Sequence, residues 1–172
     1  MPADPTLRVR PAVPADAPAI VEFVRGLAEF EHEPLAQVHL TEADVLRDGF
    51  GERPSFECLI AEQLSEAGVR PVGFALFFPN YSTWEGRAGI YIEDLFVIDE
   101  ERGSGVGRAI LAAVAHIAWK RGAARIDLAV LDWNPARGFY EALGMVHQET
   151  WLPYRMEREA IARLASEATA EA

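Results

Sequence analysis

Two acids in the middle of an apolar run are the first residues that ask for chemistry. Ile90, Tyr91 and Ile92 precede Glu93 and Asp94, and Leu95, Phe96, Val97 and Ile98 follow them; β-branched, aromatic and aliphatic residues of this kind suit a buried strand. A carboxylate buried there is costly unless something pairs with it. Next come Asp99, Glu100 and Glu101, then Arg102, Gly103, Ser104, Gly105, Val106, Gly107 and Arg108. Val106, Ile110, Val114 and Ile117 recur at helical spacing, so a helix follows the glycines. A glycine-rich turn that opens a helix after a strand presents backbone N–H groups at the positive end of a helix dipole, which is an arrangement that holds phosphate. The sequence therefore sets a pyrophosphate cradle beside a strand with two misplaced acids.

Known phosphate loops differ in detail. A Walker loop ends in Gly-Lys-Ser/Thr, which is absent here. A dinucleotide fingerprint needs G-x-G-x-x-G, and the last spacing after Gly103 and Gly105 is wrong. Asp127 lies about where a ribose-binding acid would be, although it sits inside the apolar run 126–131, so the dinucleotide reading stays open at this point.

The remaining elements must position these groups. Residues 7–11 read as an edge strand ending at proline. Asp16 or a neighbour caps a helix over residues 18–31, with Ile20, Phe23, Val24, Leu27 and Phe30 on its apolar stripe. That helix ends in Glu29, Glu31 and Glu33, acids set against its dipole, a placement that marks a cation site or a solvated surface. Thr41 with Glu42 and Asp44 starts a second helix, which stops at Gly49, Phe50 and Gly51. Strands follow over 56–62 and 72–78, joined by a polar connection at 63–70; the second ends at Pro79 and Asn80. Tyr81 and Trp84 in the next loop either line a pocket mouth or pack on the sheet. Residues 125–131 form a short strand. Asn134 and Pro135 then cap a helix carrying Phe139, Tyr140 and Leu143 that stops at Gly144. Two final strands are expected over 145–150 and 152–156, then a short helix over 157–164, with residues 1–6 and 166–172 loose.

Composition bounds the function. At 172 residues, half of them hydrophobic, the chain is one globular α/β domain's worth with a mixed sheet. A formal charge of −11 argues against nucleic acid, whose phosphates need a basic surface, and suits a cationic small molecule. No apolar run approaches membrane-spanning length, so no membrane partner is expected. Cys58 stands alone as a reduced core thiol without a basic neighbour, consistent with the cytoplasm and unsuited to nucleophilic catalysis. His32, His39, His116 and His147 are scattered, so no metal is expected.

Arg102, Gly105 and Gly107 match the R/Q-x-x-G-x-G/A loop that holds the pyrophosphate of acetyl-CoA in the GNAT superfamily of N-acetyltransferases. The resemblance covers about residues 7–156, and Asn134, Phe139, Tyr140 and Gly144 resemble that superfamily's second cofactor motif. Leu40-Thr41-Glu42, Asp48-Gly49-Phe50-Gly51, Tyr81, Trp84, Gly86 and Glu93-Asp94 resemble the spermidine/spermine and thialysine acetyltransferase branch. In the eukaryotic polyamine enzymes a tyrosine precedes the glutamate that ends the first helix; here Phe30 precedes Glu31.

The resemblance implies a GNAT fold, a mostly antiparallel twisted sheet of about six to seven strands with four to five helices. It further implies a homodimer that transfers acetyl from acetyl-CoA to a small cationic amine by direct attack in a ternary complex. Leu95, Phe96, Val97, residues Arg102 to Arg108, Asn134, Pro135, Arg137 and Tyr140 would hold the cofactor. Phe30, Glu31, Trp84, Glu93 and Asp94 would hold the amine. Glu93 would take the amine's proton, with Asp94 the second choice on the opposite face of a regular strand. A backbone N–H near Leu95 to Val97 would stabilise the oxyanion, and Tyr140 would protonate the thiolate. Acetylation of a protein amino terminus or lysine, and non-catalytic acyl-CoA sensing, are the alternatives.

Overall fold

The computed structural model describes residues 6–168. The expected loose ends fall largely outside them; Thr6 already belongs to the first strand, and residues 166–168 form a turn. The chain divides into two compact units, Met1–Leu131 and Asp132–Ala172.

The first unit is a five-stranded sheet in sequential order: β1 (Thr6–Pro11), β2 (Glu57–Ser65), β3 (Gly68–Ser82), β4 (Arg87–Val97) and β5 (Ile126–Leu128). The first three pairings are antiparallel and β4–β5 is parallel. Helix α1 (Ala17–Phe30) covers one face, where Ile20, Val21 and Phe23 pack with Cys58, Ile60, Phe74, Leu76 and Phe96. Helix α2 (Glu42–Phe50) adds Val45 to the same cluster. Helix α3 (Val106–Lys120) covers the other face, where its Ile110 lies against Gly73. Alternate residues of β3 thus feed two cores, as a strand buried on both faces requires.

Local signals set the helix ends. Thr41 accepts the Asp44 N–H, and Asp44 returns to the Thr41 N–H, a reciprocal cap. Asp16 stands at the N-terminus of α1, but its carboxylate turns to the Val13 N–H and to Arg10. Arg10 also joins Arg8 on Glu62, which is buried in β2.

Four expectations are corrected. The polar connection at 63–70 is mostly ladder, because β2 and β3 pair out to Ser65 and Gly68; the hairpin runs past the core into solvent, where polar residues pair as well as apolar ones. β3 continues through Pro79 to Ser82. Pro79 lies opposite Ile90, whose N–H is given to Arg125, and β2 reaches only to Phe77 on the other edge, so the missing proline N–H breaks no ladder bond. β5 is three residues long instead of seven, because its ladder with β4 ends at the Ile92–Leu128 pair. The two strands expected at 145–150 and 152–156 carry no ladder, so among the described residues the mostly antiparallel sheet has five strands, against the approximate six to seven expected.

The second unit holds α4 (Ala136–Ala142) and α5 (Arg158–Ala165). No helix among the described residues is long and apolar enough to cross a membrane.

Candidate active site

β4 and β5 pair only from Ile90 with Ile126 to Ile92 with Leu128. At the next residue β4 bulges: Leu76 lies opposite Asp94 and Phe77 opposite Ile92, which leaves Glu93 with no partner. The extra residue reverses the alternation. Asp94 and Phe96 now pair with Leu76 and Phe74 on the α1 face, whereas Ile92 pairs with Phe77. The strand is therefore irregular where the sequence reading assumed regularity.

Beyond the bulge, β4 has an open edge. The Ile98 N–H donates to the Val72 carbonyl at 3.0 Å, so by alternation Leu95 and Val97 direct their backbone groups away from β3. The Val97 carbonyl accepts from Arg102 Nε at 3.0 Å. An open strand edge of this kind can take an extended ligand by main-chain hydrogen bonds. Phe96 contributes differently: its ring is buried below α1, against the position a Gly26 Cβ would take.

The acids meet at this bulge. Burial pushes the Asp94 carboxyl up to about 7, with Glu93 and then Glu31 adding repulsion, so carboxylates from the C-cap of α1 and from β4 share one field. Glu31 is also raised, by burial and then by Glu33. The Cys58 thiol, in the row that runs through Leu76 to Asp94, is pushed up by burial and by Asp16 and Asp94, and so stays protonated. Trp84 stands 86% exposed in the turn before β4.

The loop after β4 has the expected form. Gly103 and Gly105 have φ of 80° and 93°, the region only glycine enters cheaply, and an added Cβ at either would meet open space. Backbone conformation, and not crowding, therefore requires glycine there. Gly105 is the N-cap of α3 and no side chain caps the helix. The N–H groups of Val106, Gly107 and Arg108 thus lack intrahelical acceptors and suit a pyrophosphate. The Ser104 hydroxyl donates to the Glu101 carbonyl at 2.6 Å, which braces the loop. The Arg102 side chain is engaged inward, as its bond to Val97 shows. Asp127 accepts from Asn80 at 2.8 Å and Arg125 at 2.7 Å. Its carboxylate ties β5 to β3 across the intervening β4, which removes it as the acid of a dinucleotide site. Neither that tie nor the bulge has a sequence signal, because both depend on strand register.

In the second unit, Asn134 Oδ1 accepts the Ala136 N–H at 2.8 Å and opens α4 after Pro135. Arg137 donates to the Asp132 carbonyl at 2.8 Å. Tyr140 stands on α4 with its ring 5.2 Å from that of Phe139, and Gly144, at φ 92°, ends the turn. Among the described residues no group of three or more His, Cys, Asp or Glu is arranged to hold a metal ion.

The Acetyltransferase (GNAT) family model matches residues 22–145. The chain belongs to this family. It is an acetyl-CoA-dependent N-acetyltransferase, and the uncapped α3 and open β4 edge fit the pyrophosphate and arm of that cosubstrate. Thialysine N-epsilon-acetyltransferase of Mus musculus is 41% identical over 92% of this chain and 96% of its own length. Spermidine/spermine N(1)-acetyltransferase-like protein 1 of Homo sapiens is 35% identical over 93% of this chain and 24% of its own. An integron cassette protein from the mobile metagenome of V. cholerae shares the fold, with a TM-score of 0.73 at 22% identity, over 94% of this chain and 98% of that one.

Proposed function

We propose that this acetyltransferase acts on the primary amine of a small cationic acceptor, a polyamine, diamine or thialysine-like amino acid, by direct attack in a ternary complex. One observation carries the reading: Glu31 and Glu93 both act on the half-buried Asp94 beside the open β4 edge. Carboxylates gathered in this way favour a cation and repel an anion. The names of the thialysine and spermidine/spermine relatives support the same class of acceptor.

Acetyl-CoA, when bound, supplies the acetyl group as a thioester. The acceptor must first lose a proton, and an alkyl ammonium of pKa about 10.4 resists this near neutrality by about 4 kcal/mol. We assign proton acceptance to the Glu93–Asp94 pair, directly or through water, with Asp94 the member whose value near 7 matches the task. Glu31 holds remaining positive charge, with Phe30 beside it. The outward N–H groups of Leu95 and Val97 stabilise the developing oxyanion. Gly103, Ser104, Gly105, Val106, Gly107 and Arg108 bind pyrophosphate through the backbone, Asn134, Pro135 and Arg137 shape the start of α4, and the Tyr140 hydroxyl delivers the proton to the departing sulfur.

The whole chain works in this reading as one acetyltransferase domain in a cytoplasmic homodimer, without nucleic acid, membrane or metal. Support for the dimer comes from segments 145–150 and 152–156, which read as strands yet have no ladder within one chain, and from exposed Val146, Trp151, Leu152 and Tyr154. The test is acetyl-CoA consumption across polyamines, short diamines, lysine analogues and peptides. Small cationic amines should turn over best. Turnover confined to peptides would establish a protein acetyltransferase, and CoA binding without turnover a sensor.

A further inference from the structure

One side chain spans the distance between the pyrophosphate loop and the acceptor acids. The Arg102 guanidinium carbon lies 4.2 Å from the centroid of the Phe30 ring and 5.4 Å from that of Phe96. Its Nε donates to the Val97 carbonyl at 3.0 Å, and Nη2 meets Asp99 at 2.8 Å. Its charge is thus matched by Asp99, while its guanidinium lies within cation–π distance of two aromatic rings.

Phe30 is the last residue of α1, and Glu31 follows as its C-cap. The helix ends in a tight reversal: the His32 N–H donates to Glu29 at 3.1 Å, the Glu33 N–H donates to Ala28 at 2.9 Å, and His32 has φ 60°. A residue with a β-carbon held in the left-handed region needs support from its surroundings. The Arg102 stack on Phe30 provides such support from the sheet side, one residue before Glu31.

We propose that Arg102 is a positioning residue for the acceptor: through the Phe30 ring it holds Glu31 over the β4 bulge, and so links the seating of the amine to the loop that binds pyrophosphate. The proposal rests on the small-amine reading above. It goes beyond that reading by giving the Arg102 side chain to the acceptor side, with anion binding left to the backbone of the loop.

Arg102→Met keeps the stem and deletes the guanidinium. It should raise the amine KM about tenfold and change the acetyl-CoA Kd by less than about threefold. Phe30→Leu should do the same, and the double variant should be no worse than either single one, since both remove one contact. A large rise in acetyl-CoA Kd with an unchanged amine KM, or additive effects of the two substitutions, overturns the proposal. Hydrogen exchange at amides 31–33 reads the same contact without turnover. It should quicken in Arg102→Met and Phe30→Leu, and unchanged exchange rejects the link. If no amine is acetylated by the wild type, the small-amine reading fails while the exchange measurement still decides the contact. Should Arg102→Met not fold, Arg102→Lys, which keeps charge but loses the planar fork and the bond to Val97, should show the same selective rise in amine KM.

Discussion

Asp94 is a carboxyl group whose surroundings oppose its charge, which has consequences for both rate and stability. If it accepts the amine's proton, kcat/KM for the amine should rise with pH through about 7 as Asp94 ionises. In kcat the same limb should lie lower, because a bound cation favours the carboxylate. Asp94→Asn should remove the limb; if Glu93→Gln removes it instead, the roles within the pair are reversed. The stability effect has the opposite sign from that of a salt-bridged acid. Between its ordinary 3.8 and about 7, folded Asp94 keeps a proton that the unfolded chain has lost, so its contribution falls as pH rises across that window. Asp94→Asn should therefore raise the Tm at pH 8 and leave it near wild type at pH 3.5. Tyr140 offers a second test on a single atom. Tyr140→Phe keeps the ring and its place beside Phe139. A lost general acid should lower kcat about 10²–10⁴-fold, roughly 3–5 kcal/mol of barrier, with acetyl-CoA affinity and Tm almost unchanged. Turnover close to wild type would return Tyr140 to packing.

At the scale of elements, the site exists because β4 loses its pairing with β5 at the point where it bulges against β3. From Ile90 to Ile92 it pairs on both sides; at Glu93 it bulges, and from Asp94 it keeps only the β3 ladder. Gly26 and Gly73 permit the close packing on either side, since a Cβ at Gly26 would lie 2.8 Å from the Phe96 ring and one at Gly73 would lie 2.7 Å from the Phe96 carbonyl. The loop that follows is testable through its backbone. A valine at Gly105 meets no neighbour but must adopt φ 93°, which a β-branched residue resists. Gly105→Val should reshape the start of α3 and raise the acetyl-CoA Kd at least about tenfold, or 1.4 kcal/mol. Titration calorimetry beside a melting curve checks this, and unchanged affinity in a folded variant removes the loop from the cofactor site.

The whole molecule carries a formal charge of −11, and a field of that sign gathers cations. Capture of a polyamine should weaken with added salt, as long-range attraction is screened beyond about 8 Å at 0.15 M. The expected result is a kcat/KM for the amine that falls with ionic strength while kcat holds. A salt-independent kcat/KM would leave the acidic surface as a matter of solubility. The sequence by itself determined what depends on neighbours within a turn or two: the Thr41 cap, the apolar stripe of α1, the Gly103 and Gly105 turn, the start of α3, and Asn134 before α4. Those rules act between residues i and i+4, so the order of residue types is enough. Only the tertiary structure decided the rest. The bulge at Glu93 follows from the register of β4 against β3. The value near 7 at Asp94 follows from burial under α1 with Glu93 and Glu31 nearby. Arg102 reaches Phe30 only because the end of α1 packs over the end of β4. The missing ladder at 145–156 has the same origin in reverse, since a strand pattern specifies one face of a pairing and the fold must supply the other.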